Sequence, residues 1–181
     1  KIYGGFKMAD GHKTPTELVD YIIKVGIDKA TKPLFKLMLL GIFGGAFIAL
    51  GGAGNIISSS TLVKTDPGFA KFLGAAVFPV GLILVVTLGA ELFTSNCLLS
   101  VAFVNKKISF TQMIRNLVTV YLFNYVGSFI VAYITVKGGS FNADSLAYLQ
   151  NIATHKVDAS AYALFIKGIL CNVLVCGAVI Q

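Results

Sequence analysis

The sequence predicts an all-α, polytopic membrane protein, and three observations carry that expectation. Hydrophobic residues make up 56% of the 181-residue chain. Charged residues make up only 13%, about half the share that a water-facing surface requires. The apolar residues fall into four long runs separated by short polar segments, and mean hydropathy is +0.81. A soluble globule is excluded by this composition.

The segment 1–33 mixes lysines with a helical apolar rhythm. Thr14-Pro15-Thr16-Glu17 supplies a helix start, with Thr14 as cap, Pro15 at the first helical position and Glu17 closing a capping box. Leu18, Ile22, Val25 and Lys29 then share one face, which predicts a short amphipathic helix lying at the membrane surface. Lys1 to Lys36 contain no apolar h-region, so no cleavable signal peptide is expected.

The first span is expected over 34–57, long enough for a hydrocarbon core of roughly 30 Å. Its glycines, Gly41, Gly44, Gly45, Gly51, Gly52 and Gly54, suit close helix approach in lipid. The second apolar region, 72–104, would be about 50 Å long as one straight helix. It must therefore be interrupted. Its only dense polar cluster is Glu91-Leu92-Phe93-Thr94-Ser95-Asn96, and an acid is costly against lipid. A broken helix whose irregular backbone is buried in protein or lines a pore meets both constraints. A third span is expected over 117–136 and a fourth over 159–181, with Gly138 to Asp158 as a polar link.

The basic residues read as orientation markers, so the net charge of +7 does not point to nucleic acid. Lysines crowd the segment before the first span, and Lys106, Lys107 and Arg115 lie between the second and third. Lys64 and Lys71, then Lys137 and Lys156, populate the other two loops more thinly. The N-terminus is thus expected in the cytoplasm. Lys167, inside the fourth span, is expected to snorkel. Cys97, Cys171 and Cys176 sit in apolar stretches as small hydrophobes, and neither a disulfide framework nor a metal site is expected. No nucleophile–base pair or phosphate loop points to an enzyme or to a cofactor.

Two stretches carry a resemblance. Leu88-Gly89-Ala90-Glu91-Leu92-Phe93-Thr94-Ser95 and Gly168-Ile169-Leu170-Cys171-Asn172-Val173-Leu174-Val175-Cys176 resemble signature segments of the formate/nitrite transporter family. They occur in the family's order, with His155-Lys156-Val157 between them. The resemblance implies an aquaporin-like helical bundle of six spans in two inverted repeats, with a pore in each protomer, assembled as a homopentamer in the cell (inner) membrane. The chain would then correspond to the first four spans, and the break to the family's Ω loop.

The resemblance also implies a passage for small monovalent anions: formate, nitrite or hydrosulfide. Phe78 and Leu82 are expected as apolar constriction residues, with Leu92, Phe93 and Thr94 forming the inner slit. Thr94 would donate a hydroxyl to a dehydrated anion, and Lys156 would draw anions to the mouth. Glu91 is expected to hold the loop by accepting backbone N–H bonds, and Asn172 to bond the broken region; His155 is expected to be a solvated bystander. A histidine that the family carries in its later spans has no counterpart here, since only His12 and His155 are present. Pro79 stands where the family pattern has a small polar residue and is expected to kink the helix. Channel and proton-coupled transport both remain open, because an apolar constriction raises the pKa of a weak acid. The alternative pore is an aquaporin-like one for neutral solutes, although the paired Asn-Pro-Ala loops of aquaporins are missing. A membrane scaffold would have no need of the polar break.

Overall fold

The computed structural model describes residues 13–180; Lys1 and His12, named above, and position 181 of the expected fourth span lie outside the described residues. Helix α1 (Pro15–Thr31) begins at the expected capping box: the Thr14 hydroxyl accepts from the Glu17 N–H at 3.3 Å, and the Glu17 carboxylate accepts from the Thr14 N–H at 2.7 Å. Its buried residues are Ile22, Gly26 and Ala30, one per turn on the face that also holds Lys29.

The helices α2 (Leu34–Ser59), α3 with α4 (Pro67–Val77 and Val80–Thr87), α7 (Phe110–Lys137) and α9 (Ala161–Val179) are long and apolar enough to cross a membrane. The α3–α4 junction falls at Phe78–Pro79, where proline removes a backbone donor. Past α4 the chain leaves helical geometry, then forms two short helices, α5 (Phe93–Asn96) and α6 (Leu99–Val104). The second apolar region is thus interrupted at the polar cluster that the sequence singled out.

Two boundaries differ from the sequence expectation for physical reasons. Helix α7 starts at Phe110, ahead of the apolar run, because Ser109 and Gln112 form a second capping box (3.2 and 2.8 Å). The segment read as a polar link contains helix α8 (Ala143–Val157), whose N-terminus is capped by Asn142 accepting from the Ser145 N–H at 2.8 Å. A polar helix has too little apolar periodicity to stand out, so only that cap announced it.

The centre of the bundle is the pairing of α2 with α7. Glycine makes it possible. A Cβ on Gly45 would run into the Asn124 carbonyl, and one on Gly127 into the Ile42 carbonyl. Asn124 and Ser128, polar residues of α7, use that proximity to donate to the Gly41 and Gly45 carbonyls at 2.7 and 3.0 Å. Helices α3 and α4 pack on α2, and α1 packs on α6 and α7 around Ala30, Leu99, Ala102 and Ile108. Helix α9 touches α5 and has no buried residue. Large apolar side chains are exposed on every span, as expected of surfaces that face lipid or other protein rather than water.

The glycine requirement is site-specific. Gly45→Ala should destabilise the protein by about 1–3 kcal/mol through overpacking against α7. Gly52→Ala, where a Cβ meets nothing within 4 Å, should be neutral or slightly stabilising. Thermal midpoints of the two variants in one detergent compare them directly, and equal midpoints would contradict the packing argument.

Candidate functional site

The interruption is built from a sharp exit, an extended bridge and a short re-entry. Leu88 ends α4, and Gly89 adopts φ +68°, a left-handed conformation for which glycine carries no steric cost. Leu92 is extended at φ −123°, ψ 131°, and α5 begins at Phe93. Each exposed backbone group then needs a partner, because lipid offers none.

Three neighbours supply them. The Ala90 N–H donates to the Val85 carbonyl at 3.0 Å, and the Glu91 N–H donates to the Leu40 carbonyl of α2 at 3.1 Å. Asn124 of α7 does the rest. Its Nδ2 donates to the Glu91 carbonyl at 2.9 Å, and its Oδ1 accepts from the Phe93 N–H at 2.9 Å. One carboxamide thus straddles Leu92 and takes the place of two missing helix bonds, while also holding the α2 carbonyl of Gly41. Gly44 lets α2 come this close, since a Cβ there would collide with the Glu91 carbonyl.

The Glu91 carboxylate is 2% exposed and does not accept backbone N–H bonds, contrary to expectation. Two ammonium groups take its oxygens instead: Lys29 Nζ lies 2.7 Å from Oε2 and Lys32 Nζ lies 2.8 Å from Oε1. Both come from α1 and the turn after it, folded against the interruption. Lys29 Nζ also donates to Asn96 Oδ1 at 2.8 Å; Asn96 Nδ2 donates to Asn116 Oδ1 at 2.8 Å; and Asn116 Nδ2 returns to the Lys29 carbonyl at 2.8 Å. The loop of bonds closes on the residue where it began. Arg115 Nη2 donates to the carbonyls of Ala30 and Lys32 at 3.0 and 2.8 Å, which satisfies the C-terminal end of α1. Burial pulls the Lys32 pKa down, but the Glu91 carboxylate, helped by Asp28, raises it above the ordinary lysine value. The stabilisation from Lys32 is therefore complete below the ordinary lysine pKa of about 10.4 and is lost only as pH rises through the raised value.

The other expected site residues are distributed as follows. Leu82 and Leu92 come together in an apolar cluster with Val85 and Ala90, backed by Phe47, Ile48 and Val175. Phe93 turns toward α7 and packs edge-on against Tyr121, 5.3 Å between ring centroids. Phe78 stands apart at the α3–α4 junction, 42% exposed. Thr94 has a buried hydroxyl with no hydrogen-bond partner among the described residues, while its carbonyl accepts the Cys176 thiol of α9 at 3.2 Å. Asn172 donates to the Gly168 carbonyl within its own helix at 3.0 Å rather than to the interruption, and its Oδ1 is buried with no partner among the described residues. Lys156 and His155 lie exposed in the last turn of α8, in no ion pair among the described residues. No cluster of three or more metal-ligating side chains occurs among the described residues.

Sequence reasoning missed Lys29, Lys32, Asn96, Asn116 and Asn124 as parts of this site. Asn116 and Asn124 lie two turns apart on one helix, an avoidable expense in an apolar span unless they bond to something. That was the available signal.

Glu91→Gln should leave two ammonium groups beside a neutral amide and destabilise the α1 attachment by about 3 kcal/mol. The checkable result is faster tryptic cleavage at Lys24 and Lys29 together with a lower thermal midpoint; unchanged cleavage would show that α1 is held by its apolar face alone. Asn124→Leu should lower the midpoint by a further amount that is additive with Gly52→Ala but not with Gly44→Ala, because Gly44 and Asn124 serve the same carbonyl.

Comparison with known proteins agrees with this architecture. The family model described as "Formate/nitrite transporter" matches residues 16–181. The formate channel FocA of Haemophilus influenzae is 40% identical over 176 residues, covering 96% of this chain and 62% of that protein. The formate channel BtFdhC of Bacillus thuringiensis is 39% identical over 167 residues, covering 91% of this chain and 64% of that protein. The chain therefore spans a little under two thirds of the length of these relatives. A solved structure titled "FNT family ion channel" superposes with a TM-score of 0.79 at 31% identity, covering 91% of this chain and 67% of that one. Sequence, interruption and fold lead to one assignment: this multi-pass membrane chain belongs to the formate/nitrite transporter family.

Proposed function

We propose that the protein passes small monovalent weak-acid anions, of the formate, nitrite or hydrosulfide kind, through a pore in each protomer. The observation that carries the reading is the Thr94 hydroxyl: buried, unpartnered among the described residues, and fixed at the start of α5 beside the apolar cluster of Leu82 and Leu92. A buried hydroxyl without a partner is costly, and an anion that has shed its water is the acceptor it lacks. Family membership supports the same class of cargo, since the relatives are formate channels by name.

In this reading the interruption is the family's Ω loop, and the bundle is the first four spans of an aquaporin-like inverted repeat assembled as a homopentamer. Leu82, Leu92 and Phe93 form the narrow apolar passage, with Phe78 at its outer end. Such a passage excludes hydrated cations by their dehydration cost and raises the pKa of a weak acid inside it, so an anion can take up a proton there. Lys156, free at the end of α8, raises anion concentration at the outer mouth. Asn172 offers its unpartnered oxygen to a donor on the passage side. The lysine distribution supports a cytoplasmic N-terminus, in the cell (inner) membrane.

Glu91 has a different task. With its charge matched by Lys29 and Lys32, it holds the loop rigid without repelling an anion nearby. The passage thus keeps an acid close to its wall without presenting that acid's charge to the anion.

The test is flux into proteoliposomes of the full-length protein with formate, nitrite, hydrosulfide and chloride at two external pH values. Selective passage of one weak-acid anion is expected, faster at the lower pH if a proton travels with it. Passage of uncharged solutes alone would select the neutral-solute pore instead. Lys156→Ala should lower flux about tenfold at low anion concentration and low ionic strength, and much less in high salt. Equal flux under the low-salt condition would remove Lys156 from the mechanism.

A further inference from the structure

Two of the three cysteines meet at one carbonyl. Cys97 closes α5, and its backbone N–H donates to the Thr94 carbonyl at 3.3 Å while its thiol turns back to the Phe93 carbonyl at 3.5 Å. Cys176, on α9, gives its thiol to that same Thr94 carbonyl at 3.2 Å. Both are free and half-buried, whereas Cys171 is exposed. Two half-buried thiols from different helices thus flank one turn of α5.

We propose that Cys97 and Cys176 form a two-coordinate site for a soft divalent d10 cation, for which Hg(II) is the probe. Soft sulfur ligands select soft ions, and with no third metal-ligating side chain clustered here among the described residues the geometry suits an ion content with two ligands. Charge decides the valence. The exchange is Hg²⁺ plus two thiols giving an S–Hg–S bridge and two protons released to water; no electrons move, and the product is neutral. Cu(I) or Ag(I) would leave a net negative bis-thiolate in an apolar setting, at a desolvation cost that the divalent ion avoids. The bridge removes both S–H donors from the Phe93 and Thr94 carbonyls and ties α9 covalently to α5, directly beside the unpartnered Thr94 hydroxyl.

The experiment uses the full-length protein carrying Cys171→Ser, titrated with Hg²⁺ and read by intact mass and by alkylation of the remaining thiols. The expected result is one Hg²⁺ shielding two thiols, with methylmercury, which binds a single sulfur, adding two equivalents at the same positions. Cys176→Ser is the informative variant, because its hydroxyl still donates to the Thr94 carbonyl and preserves the fold while the soft ligand is lost. It should lose the shared shielding, as should Cys97→Val. Binding of two Hg²⁺ ions, one per sulfur, or shielding unchanged in either variant, would overturn the proposal. A second readout rests on the anion-channel reading: flux should fall on addition of one equivalent and return with excess dithiol. Stoichiometry does not depend on flux, so a protein that carries no anion would still decide the metal site.

Discussion

A carboxylate enclosed among apolar helices is tolerable only when its charge is matched and its oxygens are filled, and in this protein that condition falls on Glu91. Two lysines meet it, and the rest of the local architecture follows from getting them there. Helix α1 must pack on α6 and α7 so that Lys29 and Lys32 reach Glu91. Its last carbonyls must then be satisfied by Arg115 and Asn116 from α7. Helix α2 must approach closely enough for Leu40 to accept from the interrupted segment, which demands glycine at 44. A single buried charge thereby sets the placement of three helices.

The interruption shows how a membrane protein keeps non-helical backbone inside an apolar layer. Regular helix satisfies its own peptide groups; a bend must borrow partners from neighbours. Asn124 has both a donor and an acceptor on one rigid plane, so it replaces a peptide group rather than merely capping one end. The exception is Thr94. Among the described residues the side chains of Glu91, Ser95, Asn96 and Asn124 all have hydrogen-bond partners, whereas the Thr94 hydroxyl has none and stands next to the apolar cluster. Saturation makes the residual donor informative.

Much of this was legible in the chain. The length of the second apolar run against the thickness of a bilayer required a break, and the only acid within it located that break. Thr14 and Glu17 announced α1, and Pro79 marked the division between α3 and α4. The partners of Glu91 were not legible, because Lys29 and Lys32 lie some sixty residues upstream and lysines beside a span read equally well as orientation markers. Asn124 was visible but unassigned, since a lone carboxamide in an apolar helix does not say which neighbour it serves. Helix α8 was hidden by its polarity, and the inward turn of Phe93 toward Tyr121 depends on a helix pairing that local pattern does not encode.

The order of residues along the chain gives the Lys29–Glu91 and Lys32–Glu91 pairs a further meaning during biosynthesis. Translation runs from the N-terminus, so both cations and the helix that carries them are made before the acid leaves the ribosome. Glu91 is thus synthesised only after both of its counter-ions exist. Had the lysines followed the acid, a naked carboxylate would have had to wait in the insertion machinery for its partners; with the sequence as it stands, synthesis itself supplies neutrality in advance.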